Sequence, residues 1–174
     1  MRRVSLNARL AQDATSTDEI YVALFYISHP DLEDPIRIST DNTERLSVEP
    51  LLYGTRSTWM GSNPATQPFL FVAASTLLPS DVEDAPPAGN IIIENLDNDI
   101  AKLLRSFSDL ATINMAVVLA DSPNLIEAQW TELNILTADI DAGEVMISFS
   151  REDITDEYFP SGRMTRDRFP GLHR

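Results

Sequence analysis

Residues 19–28 read EIYVALFYIS. In an extended strand Tyr21, Ala23, Phe25 and Ile27 share one face, and Val22, Leu24 and Tyr26 share the other, because successive side chains alternate. Both faces are apolar, β-branched or aromatic. A strand of this kind has to be covered on both sides, so it dictates that other parts of the chain pack above and below its sheet.

The neighbouring segments supply candidates. The spacing predicts a short helix over 5–12, with Ser5 as its cap and apolar residues three and four apart. His29-Pro30-Asp31 turns the chain, and residues 35–40 alternate apolar and polar as a half-buried strand does. Further strands are expected over 44–52, 69–74, 90–95 and 111–120, the 69–74 segment as a buried one. Residues 127–140 and 144–151 form a hairpin turned at Asp141-Ala142-Gly143. Residues 53–66, rich in Gly, Ser, Asn and Pro, read as a long loop, and loops of that length are usually functional or mobile. The acidic, proline-rich 79–89 stretch cannot continue a sheet or a helix. Ile100, Leu103, Leu104 and Phe107 mark an amphipathic helix over 98–108 with Asp97 or Asn98 at its cap. The expected fold is α+β and mainly antiparallel β: a sandwich or split β-barrel with the 98–108 helix packed on it. Its 174 residues suit one domain over 1–160, with an N-terminal helix or arm at 1–15 and a C-terminal arm at 161–174.

Composition removes several function classes. The chain has no cysteine, which excludes disulfides, zinc–thiolate and iron–sulfur ligation and thiol nucleophiles. Its net charge of −14 opposes general nucleic-acid binding, which needs clustered cations. No apolar run approaches the ~20 residues of a membrane span, and polar residues break any signal-peptide core after Met1-Arg2-Arg3. A catalytic histidine would have to be His29, in a turn, or His173, and no Gly-x-Ser-x-Gly elbow supports either. Metal-binding His spacings and a full calcium-loop frame are absent, so Asp97 and Asp99 read as helix caps and the other acidic stretches as solvated loops. No cofactor is expected, since no glycine-rich phosphate loop occurs among the six glycines. Among 27 acidic residues some carboxylate pairs are inevitable, so a carboxylate-dependent hydrolase stays open as a competing class. Trp59, in the long loop, either anchors a partner or folds back on the core, because tryptophan is enriched in both places.

Four stretches taken together carry a resemblance: Ile27-Ser28-His29-Pro30-Asp31-Leu32 with Pro35-Ile36-Arg37; residues 68–79; Ile91-Ile92-Ile93-Glu94-Asn95-Leu96-Asp97; and Arg168-Phe169-Pro170-Gly171-Leu172. Their order resembles a minor tail protein family of unassigned function, encoded among the tail-tip genes of long-tailed, siphovirus-type phages. That resemblance implies a structural, non-enzymatic virion protein, assembled in the host cytoplasm and located at the tail tip. Its best-fitting role is distal-tail-like: a ring, hexameric rather than trimeric, joining the tail tube protein to the baseplate hub, with the tape measure protein as a further neighbour. No specific nucleic-acid or membrane partner is implied. An acidic ring lumen would repel passing DNA. The competing expectations are a carboxylate-dependent cell-wall hydrolase and a tail-assembly chaperone absent from the mature particle.

The closing segment RMTRDRFPGLHR holds four of the 13 basic residues and one of the 27 acidic ones, leaving nine against 26 in the rest of the chain. Proline keeps it extended, and apolar residues stand between the arginines. It reads as an arm laid across the acidic surface of a sister subunit, with Arg163, Arg166, Arg168, Phe169 and Pro170, together with Trp59, as interface residues.

Overall fold

The computed structural model describes residues 4–77, 88–94, 111–141 and 144–150, with Arg168 and Gly171. The expected 98–108 helix, residues 79–87 of the proline-rich 79–89 stretch and most of the C-terminal arm lie outside these residues. Ala88 and Gly89, expected not to continue a sheet, do belong to a strand, because the last proline of the stretch is Pro87 and both of their positions pair with a neighbouring strand.

The chain begins with α1 (Leu6–Asp13), capped as expected by Ser5, whose hydroxyl accepts from the Ala8 amide at 3.1 Å. The doubly apolar segment is β1 (Tyr21–Ser28). It pairs antiparallel with β2 (Ile36–Ser39), and the turn between them is closed by the Leu32 amide on the His29 carbonyl. Residues 44–52, expected as one strand, instead contain β3 (Arg45–Ser47), a turn, and the start of β4 (Leu52–Thr55). A proline at position 50 cannot donate to a ladder, so the chain turns there and returns as the second arm of a hairpin. The expected loop over 53–66 is shortened by β4 and carries one 3-10 turn, Trp59–Gly61.

The expected strand over 69–74 is two strands, β5 (Phe69–Phe71) and β6 (Ala74–Leu77), separated by Val72 and Ala73. Beyond them come β7 (Ala88–Glu94), β8 (Thr112–Leu119), β9 (Ser122–Ile140) and β10 (Glu144–Ser150). All ten strands lie in one mixed sheet, in the order β3-β4-β5-β2-β1-β8-β9-β10-β7-β6. Every pair is antiparallel except β2–β5, which is parallel because the β3–β4 hairpin intervenes and returns the chain in the same direction. No pairing joins β3 to β6, so the sheet is not closed into a barrel.

Two features curl this sheet. β5 and β6 stand near opposite ends of the strand order, yet only Val72 and Ala73 separate them. Two residues span at most ~7 Å, so the sheet must bend until those regions meet. At the seam the Val72 amide donates to Ser39 and the Glu94 amide to the Ala73 carbonyl. β9 is the second device: its first part pairs with β8 and its last part with β10. Opposite Asn114, β9 carries an extra residue, and Glu132 takes a φ of 59° there. A bulge of this kind bends a strand and raises its twist.

Both faces of β1 are covered as a result. Ala23, Phe25 and Ile27 join Ile38, Ile91, Ile93, Val145, Ile147 and Phe149 in one core cluster, inside the curl. Val22 and Leu24 join Trp59, Phe69, Ala116 and Val118 in a second cluster on the other face. The loop after β4 forms the lid of that second cluster. The Ser57 hydroxyl donates to the Pro123 carbonyl at 2.7 Å, and the Thr58 amide donates to Asn124 Oδ1 at 2.8 Å, which ties the loop to the start of β9.

Candidate functional site

A groove of about 840 Å3 opens at the seam where the curled sheet meets itself. One wall comes from β2, β4 and β5, and the other from Ile93 and Glu94 of β7 and Val145 of β10. The hairpin turn places Leu51, Leu52 and Tyr53 along its mouth. Each of these is exposed to some degree, as is Leu70 of β5 at 41%. The sequence reads as one buried strand over 69–74, but β5 is only three residues long, and its central Leu70 faces away from the Phe69 side into the groove.

Polar groups are few. Asp34, Glu94 and Arg37 are the charged side chains of the lining. Arg37 is fixed in place: its Nε donates to Ser62 Oγ and its Nη1 to the Pro35 carbonyl, both at 3.1 Å, and the guanidinium lies 5.5 Å from the Tyr26 ring centroid. Among the described residues the arginine–carboxylate ion pair is Arg56–Glu44, so Arg37 has no carboxylate partner there.

Behind Arg37 stands an aromatic stack. Tyr26 meets Trp59 edge-on at 6.4 Å, and Trp59 meets Phe69 at 5.9 Å. Trp59 is only 6% exposed, so of the two placements open to it the structure has the core one. It supports the groove wall from behind and offers little surface to a partner. Of the arm residues, Arg168 is exposed, while Arg163, Arg166, Phe169 and Pro170 lie outside the described residues. Of the expected interface residues, Trp59 and Arg168 are therefore the two that fall among the described residues. The groove residues Arg37, Tyr53 and Leu70 carry no sequence signal of their own, because hairpin and seam create the concavity jointly.

Other polar clusters have structural work. Ser39 Oγ and Thr55 Oγ1 share a hydrogen bond of 2.7 Å, and Asp41 accepts from the Thr43 amide at 2.8 Å and from Thr55 Oγ1 at 3.4 Å. This buried Ser–Thr–Asp set clips β2, its turn and β4 together. His29 Nδ1 accepts from the Asp31 amide at 3.1 Å, which closes the turn expected there. A nitrogen engaged as an acceptor from a backbone amide is not poised as a general base.

Among the described residues no group of His, Cys, Asp and Glu is arranged to hold a metal ion. No helix among them is long and apolar enough to cross a membrane. No curated protein matches the sequence. One family model does match, that of a domain of unknown function, DUF1833, over residues 7–164. The match begins within α1 and takes in all ten strands. The chain belongs to the DUF1833 family.

Proposed function

We propose that this protein is a structural component of a phage tail tip, forming a ring or adaptor between the tail tube and the baseplate hub. The observation that carries the reading is the concentration of exposed apolar side chains at one place on an acidic chain. Val48 and Leu51 are 71% and 59% exposed on the β3–β4 hairpin, beside the partly exposed Leu52, Tyr53 and Leu70 of the groove. Soluble monomers rarely leave such a set uncovered beside a concave surface, and patches of this kind mark contacts with other chains. Head-to-tail ring contacts pair such a surface with a different surface of the next subunit. The order of motifs that resembles tail-tip proteins favours the same reading. In the finer description of the fold, the two limbs of the curled sheet form the layers of a sandwich around the larger core cluster. Native mass spectrometry of the purified protein tests the reading. A closed multimer is expected, hexamer before trimer, and a strict monomer at micromolar concentration contradicts it. Peptides of the protein in purified particles separate a virion component from an assembly chaperone that leaves.

A second reading rests on Asp34 and Glu94, two carboxylates lining one groove. They are the residues a carboxylate-dependent cell-wall hydrolase would use. Loss of cell-wall cleavage in D34N and E94Q would favour it, and no cleavage by the unmodified protein removes it.

A further inference from the structure

The groove asks for an occupant of definite chemistry. Leu52, Tyr53, Leu70 and Val72 offer apolar surface. Asp34 and Glu94 offer negative charge, and Arg37 is a fixed guanidinium without a carboxylate partner among the described residues. A complementary segment alternates cations with apolar groups and carries one carboxylate. Residues 163–172 of this chain, RMTRDRFPGL, do so. Arg163, Arg166 and Arg168 suit Asp34 and Glu94, Asp167 suits Arg37, and Met164, Phe169, Pro170 and Leu172 suit the apolar wall. Arginine forms the planar, bidentate pairs that such carboxylates accept. The last twelve residues are also the densest cluster of positive charge in a chain of net charge −14.

We propose that residues 163–172 of one copy occupy the groove of the next copy. The proposal rests on the ring reading above and gives the ring its joint. β10 passes the groove at Val145 and ends at Ser150. The twelve residues 151–162 then span up to ~40 Å when extended, enough to reach a neighbour. Engagement in trans repeats head to tail and closes a ring, whereas engagement within one chain uses both surfaces without joining any copies.

The absence of cysteine makes the test clean. Full-length L70C and F169C are prepared separately, mixed and oxidised. A disulfide forms only where two Cα atoms come within about 7 Å. The expected product is a covalent pair containing one chain of each variant, identified by the mass of the linked peptides. Adding R166E and R168E to the F169C chain is expected to reduce that product at least tenfold, with the circular dichroism spectrum unchanged. Should L70C fail to fold, Y53C takes its place. The contact is overturned if mixed variants give no linked pair, or if L70C/F169C in one chain links only to itself. A multimer that assembles without the link overturns the joint and leaves the ring standing, and a monomer in native mass spectra removes both.

Discussion

At Gly54 a methyl group would sit 2.0 Å from the Phe69 carbonyl oxygen and 3.0 Å from Leu46 Cδ1. The backbone there also has a φ of 154°, which L side chains rarely adopt. β4 can approach β5 only because this position has no side chain, and β5 carries the groove wall. G54A is therefore expected to lose about 3 kcal/mol in urea unfolding, through combined clash and backbone strain. Asn114 is the other residue on which geometry depends. It is buried, and its Oδ1 accepts from the Glu132 amide at 2.9 Å, holding the bulge that bends β9. N114A leaves that amide without its partner and is expected to cost about 1–3 kcal/mol by the same measurement. Neither role was legible in the sequence. Gly54 lay in a segment read as loop, and Asn114 looked like one polar residue in an apolar strand. Each acts on a chain neighbour far away in sequence, and local pattern carries no such information.

Among the elements, α1 shows how a short helix is held. Only Ala8 of its residues is buried, while Leu6 and Leu10 are 71% and 60% exposed, so packing contributes little. The attachment is polar instead. Glu127 Oε2 on β9 accepts from the Ser5 amide at 2.7 Å, and Gln12 Nε2 donates to the Tyr21 hydroxyl at 3.0 Å. In a capping box a glutamate three residues into the helix takes the cap's amide. Here a strand supplies that carboxylate, and the helix dipole favours it. E127A is expected to raise hydrogen exchange in residues 5–13 by an order of magnitude or more, while β8 and β1 keep their protection. Equal exchange in α1 with and without Glu127 would show that something else holds the helix. At this scale the sequence was informative. Period-two runs located β1, β2 and β10, short apolar runs located β7 and β8, and Ser5 marked the start of α1, because each signal is local. The breaks were missed. The 44–52 segment reads as one strand although it turns, and 69–74 hides two strands, since the chain leaves one limb of the sheet and joins the other without any glycine or proline to mark it.

At the largest scale the described residues form an open sheet bent until its distant strands meet, with an exposed apolar hairpin and groove at the seam. The two-sided burial of β1 could be demanded from sequence, but not what supplies it: the curl on one face and the Trp59 loop on the other. The groove was invisible for the same reason, since its walls come from segments more than a hundred residues apart. The C-terminal arm was visible because charge and composition survive without a fold. Leu70 is partly exposed, so L70D is expected to keep the melting temperature within a few degrees while abolishing the multimer, as seen by analytical ultracentrifugation. A multimer that withstands L70D would move the subunit contact away from the groove. The central claim is a place in a tail tip, and a reconstruction of that tip in particles carrying the protein tests it most directly. The expected result is a closed ring of this fold between tube and hub, with each copy's groove filled by the arm of its neighbour. A complete tail tip with no density for this fold would contradict it.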